Sequence, residues 1–318
     1  MARRSPDFND MRMCVDRVVQ PHHAMDAAVL AMNENPANEP PPIVLRPGEV
    51  LHPFRMALVT QKKWSNGRKL KVKFLDGSVT QKKQVQRFAN EWSQFANVTF
   101  DFNGGATAEI RISFRQSGSW SAVGVDCLQT GSFPKTQPTM NFGWLRDDTD
   151  DVEWRRVVVH EFGHALGAIH EHQNPKGGIK WNLPRVYAAF SGPPNNWDKQ
   201  TIDFNIIQKY SINQLNATEF DAKSIMLYHF DASLIIGGKA TPNNTDLSAG
   251  DKKFIAQMYP KAGAHAIAAS STPRLALSAP ADAAGAWQAP NAAAAPAAEF
   301  SGQRFRDVVK QLQKLRAR

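Results

Sequence analysis

The sequence predicts a mixed fold of strands and helices, α/β or α+β, because strands come first, one helix lies between them, and a histidine-bearing helix follows. Two segments, Lys69–Phe74 and 109–114, alternate polar and apolar residues, the period of a half-buried strand. Between them, residues 84–95 place Val85, Phe88, Ala89, Trp92 and Phe95 at helical spacing, so one face belongs to a core. An apolar run at 154–159 then leads into His160 and is apolar enough to bury a helix.

In chain order, residues 1–45 hold a short helix near 21–33 and a proline-rich stretch, Pro36 to Pro42, through which no long helix can run. This segment is expected to be an N-terminal arm or prosegment. Residues 46–261 are expected to form one domain. Its strands are Lys69–Phe74, 98–102, 109–114 and 140–144, with a turn at Asp76-Gly77 after the first. Residues 262–298 are nearly half alanine, with recurrent prolines and almost no charge, the composition of a flexible linker. Residues 299–318 set Phe305, Val308, Val309, Leu312 and Leu315 on one face against six Arg or Lys and two acids. That pattern is a basic amphipathic helix, docked on the domain as a tail or contacting an acidic surface or partner.

The net charge of +9 favours acidic surfaces, but no helix-turn-helix, RRM or zinc-finger pattern accompanies it, so nucleic acid is not an expected partner. Two cysteines, Cys14 and Cys127, do not make a disulfide framework. No run of 18 apolar residues predicts a transmembrane helix. The first residues lack the apolar stretch of a Sec signal, so the expected location is cytoplasmic or reached by a non-Sec route.

The chemistry lies at residues 157–171. His160 and His164 are four apart, so a helix projects both from one face, close enough to share one metal ion. Neutral imidazole suits zinc. Glu161 adjoins the first ligand, where its carboxylate can act as general base without being a ligand itself. Gly167 can end the helix and let the chain turn, so that His170 supplies a third ligand. Three protein ligands leave a position open, which marks a catalytic rather than a structural site. Requiring both Gly167 and His170 beyond the first five residues has a chance of about 1 in 560 from this composition. A core helix with incidental histidines would bury two imidazoles and a carboxylate without compensation.

The pattern His160-Glu161-x-x-His164-x-x-Gly167-x-x-His170 is that of the metzincin zinc proteases. Ser224-Ile225-Met226-Leu227-Tyr228 resembles their methionine turn. Glu171 after the third histidine, Tyr228 two places after the methionine, and the segments Gly118 to Gly124 and Leu247 to Asp251 resemble the astacin-like branch, in its bacterial and fungal form. The resemblance runs from about Trp64 to Tyr259. It implies an α+β metzincin domain with a mixed twisted sheet, an active-site helix and a largely irregular lower subdomain carrying the methionine turn. It also implies one catalytic zinc, hydrolysis of protein or peptide substrates, Met226 packed beneath the metal, and Tyr228 as a metal-side hydroxyl that stabilises the oxyanion. A substrate strand would add to the edge near 120–123. Glu171 pairs in the family with a new N-terminus, and a surface carboxylate is the alternative here. His172 stands where the family more often has Gln and is read as lying behind the ligands or at the surface. Cys14 is read as a plain free cysteine in preference to a prosegment thiolate on the zinc. The rival to an enzyme is a binding module on an inactive protease fold, against which the intact Glu161 argues.

Overall fold

The structure is a computed structural model that describes residues 13–39, 43–44, 61–193, 195–209, 219–261, 299–300 and 307. The strands are β1 (Cys14–Arg17), β2 (Ile43–Val44), β3 (Lys69–Phe74), β4 (Thr99–Asp101), β5 (Ile110–Ser113), β6 (Ser119–Ala122), β7 (Met140–Phe142) and β8 (Glu299–Phe300). The α-helices are α1 (Ala24–Glu34), α2 (Val79–Ala89), α3 (Asp151–Ala165), α4 (Leu183–Ser191), α5 (Lys199–Ile202) and α6 (Ala249–Met258). Six strands form one mixed sheet in the order β1-β6-β7-β5-β3-β4, antiparallel only between β6 and β7. β2 and β8 pair separately. The domain is α+β, as the motif resemblance implied.

The alternation in β3 puts Leu70 and Val72 into the core and leaves Lys69, Lys71 and Lys73 out of it. α2 starts and ends five to six residues earlier than its apolar spacing suggested. Ser78 accepts from the Gln81 amide, and the Gln81 side chain accepts from the Ser78 amide, a reciprocal cap that fixes the start. Trp92 and Phe95 fall in and just after a separate 3-10 turn, Trp92–Gln94. α3 starts at the Asp150 cap, whose carboxylate accepts from the Glu153 amide. It lies against the sheet with Trp154, Val157, Val158 and Phe162 in the core.

The C-terminal end of α3 is clasped from outside. Trp64 Nε1 donates to Ala165 O at 2.8 Å, and Tyr259 Oη donates to Leu166 O at 2.7 Å while accepting from the Trp64 amide. These bonds occupy carbonyls that a helix end leaves open. They fix the point at which the chain must turn.

Residues 13–39 pack on the domain. Ala27, Ala28, Ala31 and Met32 of α1 are buried, and buried Asn38 donates to Ala31 O and Lys63 O. β1 extends the sheet beyond β6, in register from Cys14 opposite Ser119 to Arg17 opposite Ala122. The linker expected at 262–298 lies outside the described residues. So does the expected helix at 299–318, except that Glu299–Phe300 is extended and Asp307 is helical. No described helix is long and apolar enough to cross a membrane.

Candidate active site

α3 carries His160 and His164 on one face, both buried. Gly167 has φ of +95° and closes the helix: its amide donates to His164 O, and the Ala168 amide donates back to Gly163 O. The turned chain brings His170 to the other two, and one ligand atom from each of the three lies within 4.8 Å of the others. His164 Nε2 is 3.1 Å from His160 Nε2 and 3.0 Å from His170 Nε2.

The outer ring nitrogens settle the tautomers. His160 Nδ1 is 2.8 Å from Ile225 O, and His164 Nδ1 is 2.9 Å from Ala168 O. A carbonyl only accepts, so each Nδ1 carries the proton and each Nε2 presents a lone pair. Burial, then the neighbouring imidazoles, hold His160 well below the usual histidine range, so it stays neutral. Two lone pairs facing each other across 3.1 Å repel unless a cation lies between them. The donor set therefore fits a zinc ion, with second-sphere carbonyls already orienting two of its three imidazoles.

The methionine turn lies directly below. Ser224 Oγ donates to Asp251 Oδ1, and the Ile225 amide donates to Asp251 Oδ2. The same carboxylate accepts from the Ser248 amide, in the reciprocal cap that starts α6. One buried aspartate thus ties the turn to a helix end. Burial raises its pKa, and these bonds oppose the rise. The Glu171 amide donates to Met226 O, stitching the turn to the ligand loop. A Cβ on Gly163 would come 2.5 Å from Met226 Sδ, so glycine there lets the thioether pack in its present place against α3.

Glu161 is fully buried, with a carboxylate oxygen within 4.8 Å of a His160 ring nitrogen. Tyr228 is 4% exposed, its ring centroid 4.2 Å from that of His170, and its hydroxyl touches His170 Nε2. That hydroxyl also donates to the carbonyl of Cys14 at 2.7 Å. All six residues expected from the sequence therefore meet in one place. His172 is buried behind them: its Nε2 is 2.8 Å from Asn205 O, and its ring lies 5.1 Å from Tyr228 and Phe230.

Cys14 departs from its reading as a plain free cysteine. Its thiol shares a potential metal-ligand group with His160 and Glu161, the three ligand atoms lying within 4.8 Å of one another. Burial, then the charge of Glu161, push the thiol upward. Cys127 is buried elsewhere and free. β1 thus lies along β6 with its first residue over the site. Gly143 donates to Gly118 O and Ala122 donates to Thr139 O, so by two-residue alternation the backbone of Trp120 faces β7. The backbones of Ser119 and Ser121 face the cleft. The edge available to an added strand is therefore these serines, with the Trp120 side chain between them.

Glu171 is no free surface carboxylate. It accepts from the Asp221 amide and the Asn174 side chain, and burial raises it to about 7 against these bonds. The folded state thus keeps a proton that the unfolded chain loses near 4.5. Stability contributed by the neutral acid is present below that pH and is lost as pH rises toward 7. Glu171→Gln is expected to remove this slope, so its Tm should gain on wild type between pH 5 and pH 8. Parallel Tm curves over that range would count against the buried acid.

No protein-family model matches the chain, and comparison with curated proteins gives no match. Among solved structures, one of myroilysin is 44% identical with a TM-score of 0.60, the match covering 63% of this chain and 96% of that one. A second myroilysin structure is 35% identical with a TM-score of 0.53, covering 81% of this chain and 98% of that one. A weaker likeness, 20% identical with a TM-score of 0.40, is to high choriolytic enzyme 1, a hatching enzyme zinc-protease from Oryzias latipes, covering 62% and 92%.

Proposed function

Because the chain belongs to the astacin-like family of metzincin zinc proteases and is a zinc-dependent endopeptidase with one catalytic zinc, we propose that His160, His164 and His170 hold the ion and that Glu161 is the general base. The observation that carries this reading is the convergence of two carbonyl-oriented imidazoles and a third on one point, with a fully buried carboxylate beside them.

Bound zinc supplies Lewis acidity, which lowers the pKa of water toward about 7 and polarises the scissile carbonyl. Glu161 takes the proton from the attacking water and passes it to the leaving amide nitrogen. Its burial keeps competing water away from that proton. Tyr228 supplies an O–H to the developing oxyanion. It is suited to this because its hydroxyl already donates to a peptide carbonyl, that of Cys14, above the ligands. Met226 holds the floor, and Asp251 holds Met226 in place through the turn. The substrate adds as a strand to the cleft side of β6. A chelator is expected to abolish cleavage of a denatured protein, and stoichiometric zinc to restore it. Cleavage that survives complete zinc removal would overturn the reading.

Residues 1–45 act in this reading as a prosegment, supported by Cys14 beside His160 and Glu161 and by β1 paired along β6. The basic segment 299–318 is proposed to contact an acidic surface or partner. Deleting 262–318 should then leave peptide turnover intact while reducing sedimentation with vesicles that contain anionic lipid. Equal sedimentation of the two forms would remove the proposal.

A further inference from the structure

The arm in the cleft also shows what one stretch of the cleft binds. Arg17, the last residue of β1, lays its guanidinium carbon 4.7 Å from the centroid of the Trp120 ring. Trp120 belongs to β6, the strand on which the substrate adds, and is 4% exposed beneath the arm. The arrangement is a cation held on an aromatic face at the solvent-exposed end of β1. The Trp120 indole N–H is buried and has no hydrogen-bond partner among the described residues. The arm thus fills the ring face of this position but leaves its donor bare. Arg17, Trp120 and Val123 all line one cavity of about 1520 Å³.

Direction decides which substrate residue reaches this platform. β1 runs parallel to β6, with Cys14 beside His160 and Glu161 and Arg17 three residues further on, about 10 Å along the edge. Hydrolysis needs the scissile carbonyl at the metal side and the leaving nitrogen within reach of Glu161. A chain laid in the opposite sense presents these two atoms in exchanged positions. An arm that blocks the cleft without being cut is therefore expected to run against the productive direction. A productive strand runs antiparallel to β6, and the residue it brings over Trp120 lies upstream of the scissile bond.

We propose that Trp120 is a specificity-determining residue of this protease: its ring forms a subsite for a cationic side chain, Arg or Lys, at the third residue before the cleaved bond. The inference rests on the proteolytic reading and on the arm as an occupant of the cleft. The side chain on the platform keeps its charge and one face of its solvent shell, so the gain is in selectivity between peptides that share every other contact. Arg is favoured over Lys because a planar guanidinium lies flat on the ring.

The test uses the full-length zinc-loaded chain carrying Cys14→Ser and Arg17→Ala, which loosens its own arm while leaving β6 untouched. Two peptides are compared that differ only in Arg or citrulline at the third position before the bond. Citrulline keeps the shape and loses the charge. The Arg peptide should have a kcat/KM about three- to tenfold higher. Trp120→Leu should bring the ratio to one, and Trp120→Phe should keep part of it, each with zinc content as in its parent. The same pair is read by fluorescence anisotropy on the Glu161→Ala form of this chain, so the subsite is measured even without turnover. A ratio of one in both readouts overturns the subsite and leaves the protease reading standing. A binding ratio above one without any hydrolysis supports the subsite and sinks the protease reading. Preference for Arg on the other side of the bond overturns the assigned direction.

Discussion

Glu161→Ala is expected to bind one zinc as tightly as wild type and to lose about a thousandfold or more in kcat/KM on a denatured protein substrate. Glu161 neighbours His160 on α3 but is placed beside the ligand trio, so its removal leaves three imidazoles and their carbonyl partners untouched. What is lost is the carboxylate that lies beside His160. Stability separates this effect from misfolding. The side chain is fully buried, so the melting temperature of the alanine form, read beside its zinc content, shows whether the fold survives the substitution. A variant that loses zinc along with activity would make Glu161 part of the metal's support. A variant that stays within tenfold of wild type would remove it as general base.

That experiment could have been designed from the sequence, because the ligand set is written in local spacing. Four residues on a helix give His160 and His164 one face, and Gly167 announces the break that frees His170. Other parts were not legible, each for a physical reason. α2 begins at Ser78 because a reciprocal cap with Gln81 outweighs the apolar spacing that pointed further on. Ser248 and Asp251 show the spacing of such a cap, but the second task of Asp251, holding Ser224 and Ile225, exists only once the methionine turn lies against α6. Gly163 is an unspecified position of the motif, and the close packing it permits is against Met226, remote in sequence. β1 is hardest of all: Cys14-Val15-Asp16-Arg17 has no helical or strand period long enough to read, and its partner strand is distant along the chain.

The cysteine at the start of that strand leads to the second large effect. The uncut full-length Cys14→Ala chain is expected to hydrolyse peptides at an initial rate at least about tenfold above wild type, with equal zinc content. In wild type the Cys14 sulfur lies within 4.8 Å of a His160 ring nitrogen and of a Glu161 carboxylate oxygen, where it competes with the attacking water and crowds the base. Alanine removes both interactions. It keeps the β1 pairing and the Tyr228 bond, because that bond goes to the backbone carbonyl of residue 14. The gain should therefore be partial, and limited proteolysis that removes the arm should bring both chains to one common rate. The shared endpoint identifies the difference as latency rather than a better active site. Serine, a weaker metal ligand that can still hydrogen-bond Glu161, should fall between the two. If wild type and Cys14→Ala start at the same rate and both accelerate on trimming, the strand blocks the cleft and the thiol adds nothing. If neither accelerates, residues 1–45 are not a prosegment, and the position of Cys14 must serve the folded enzyme in another way.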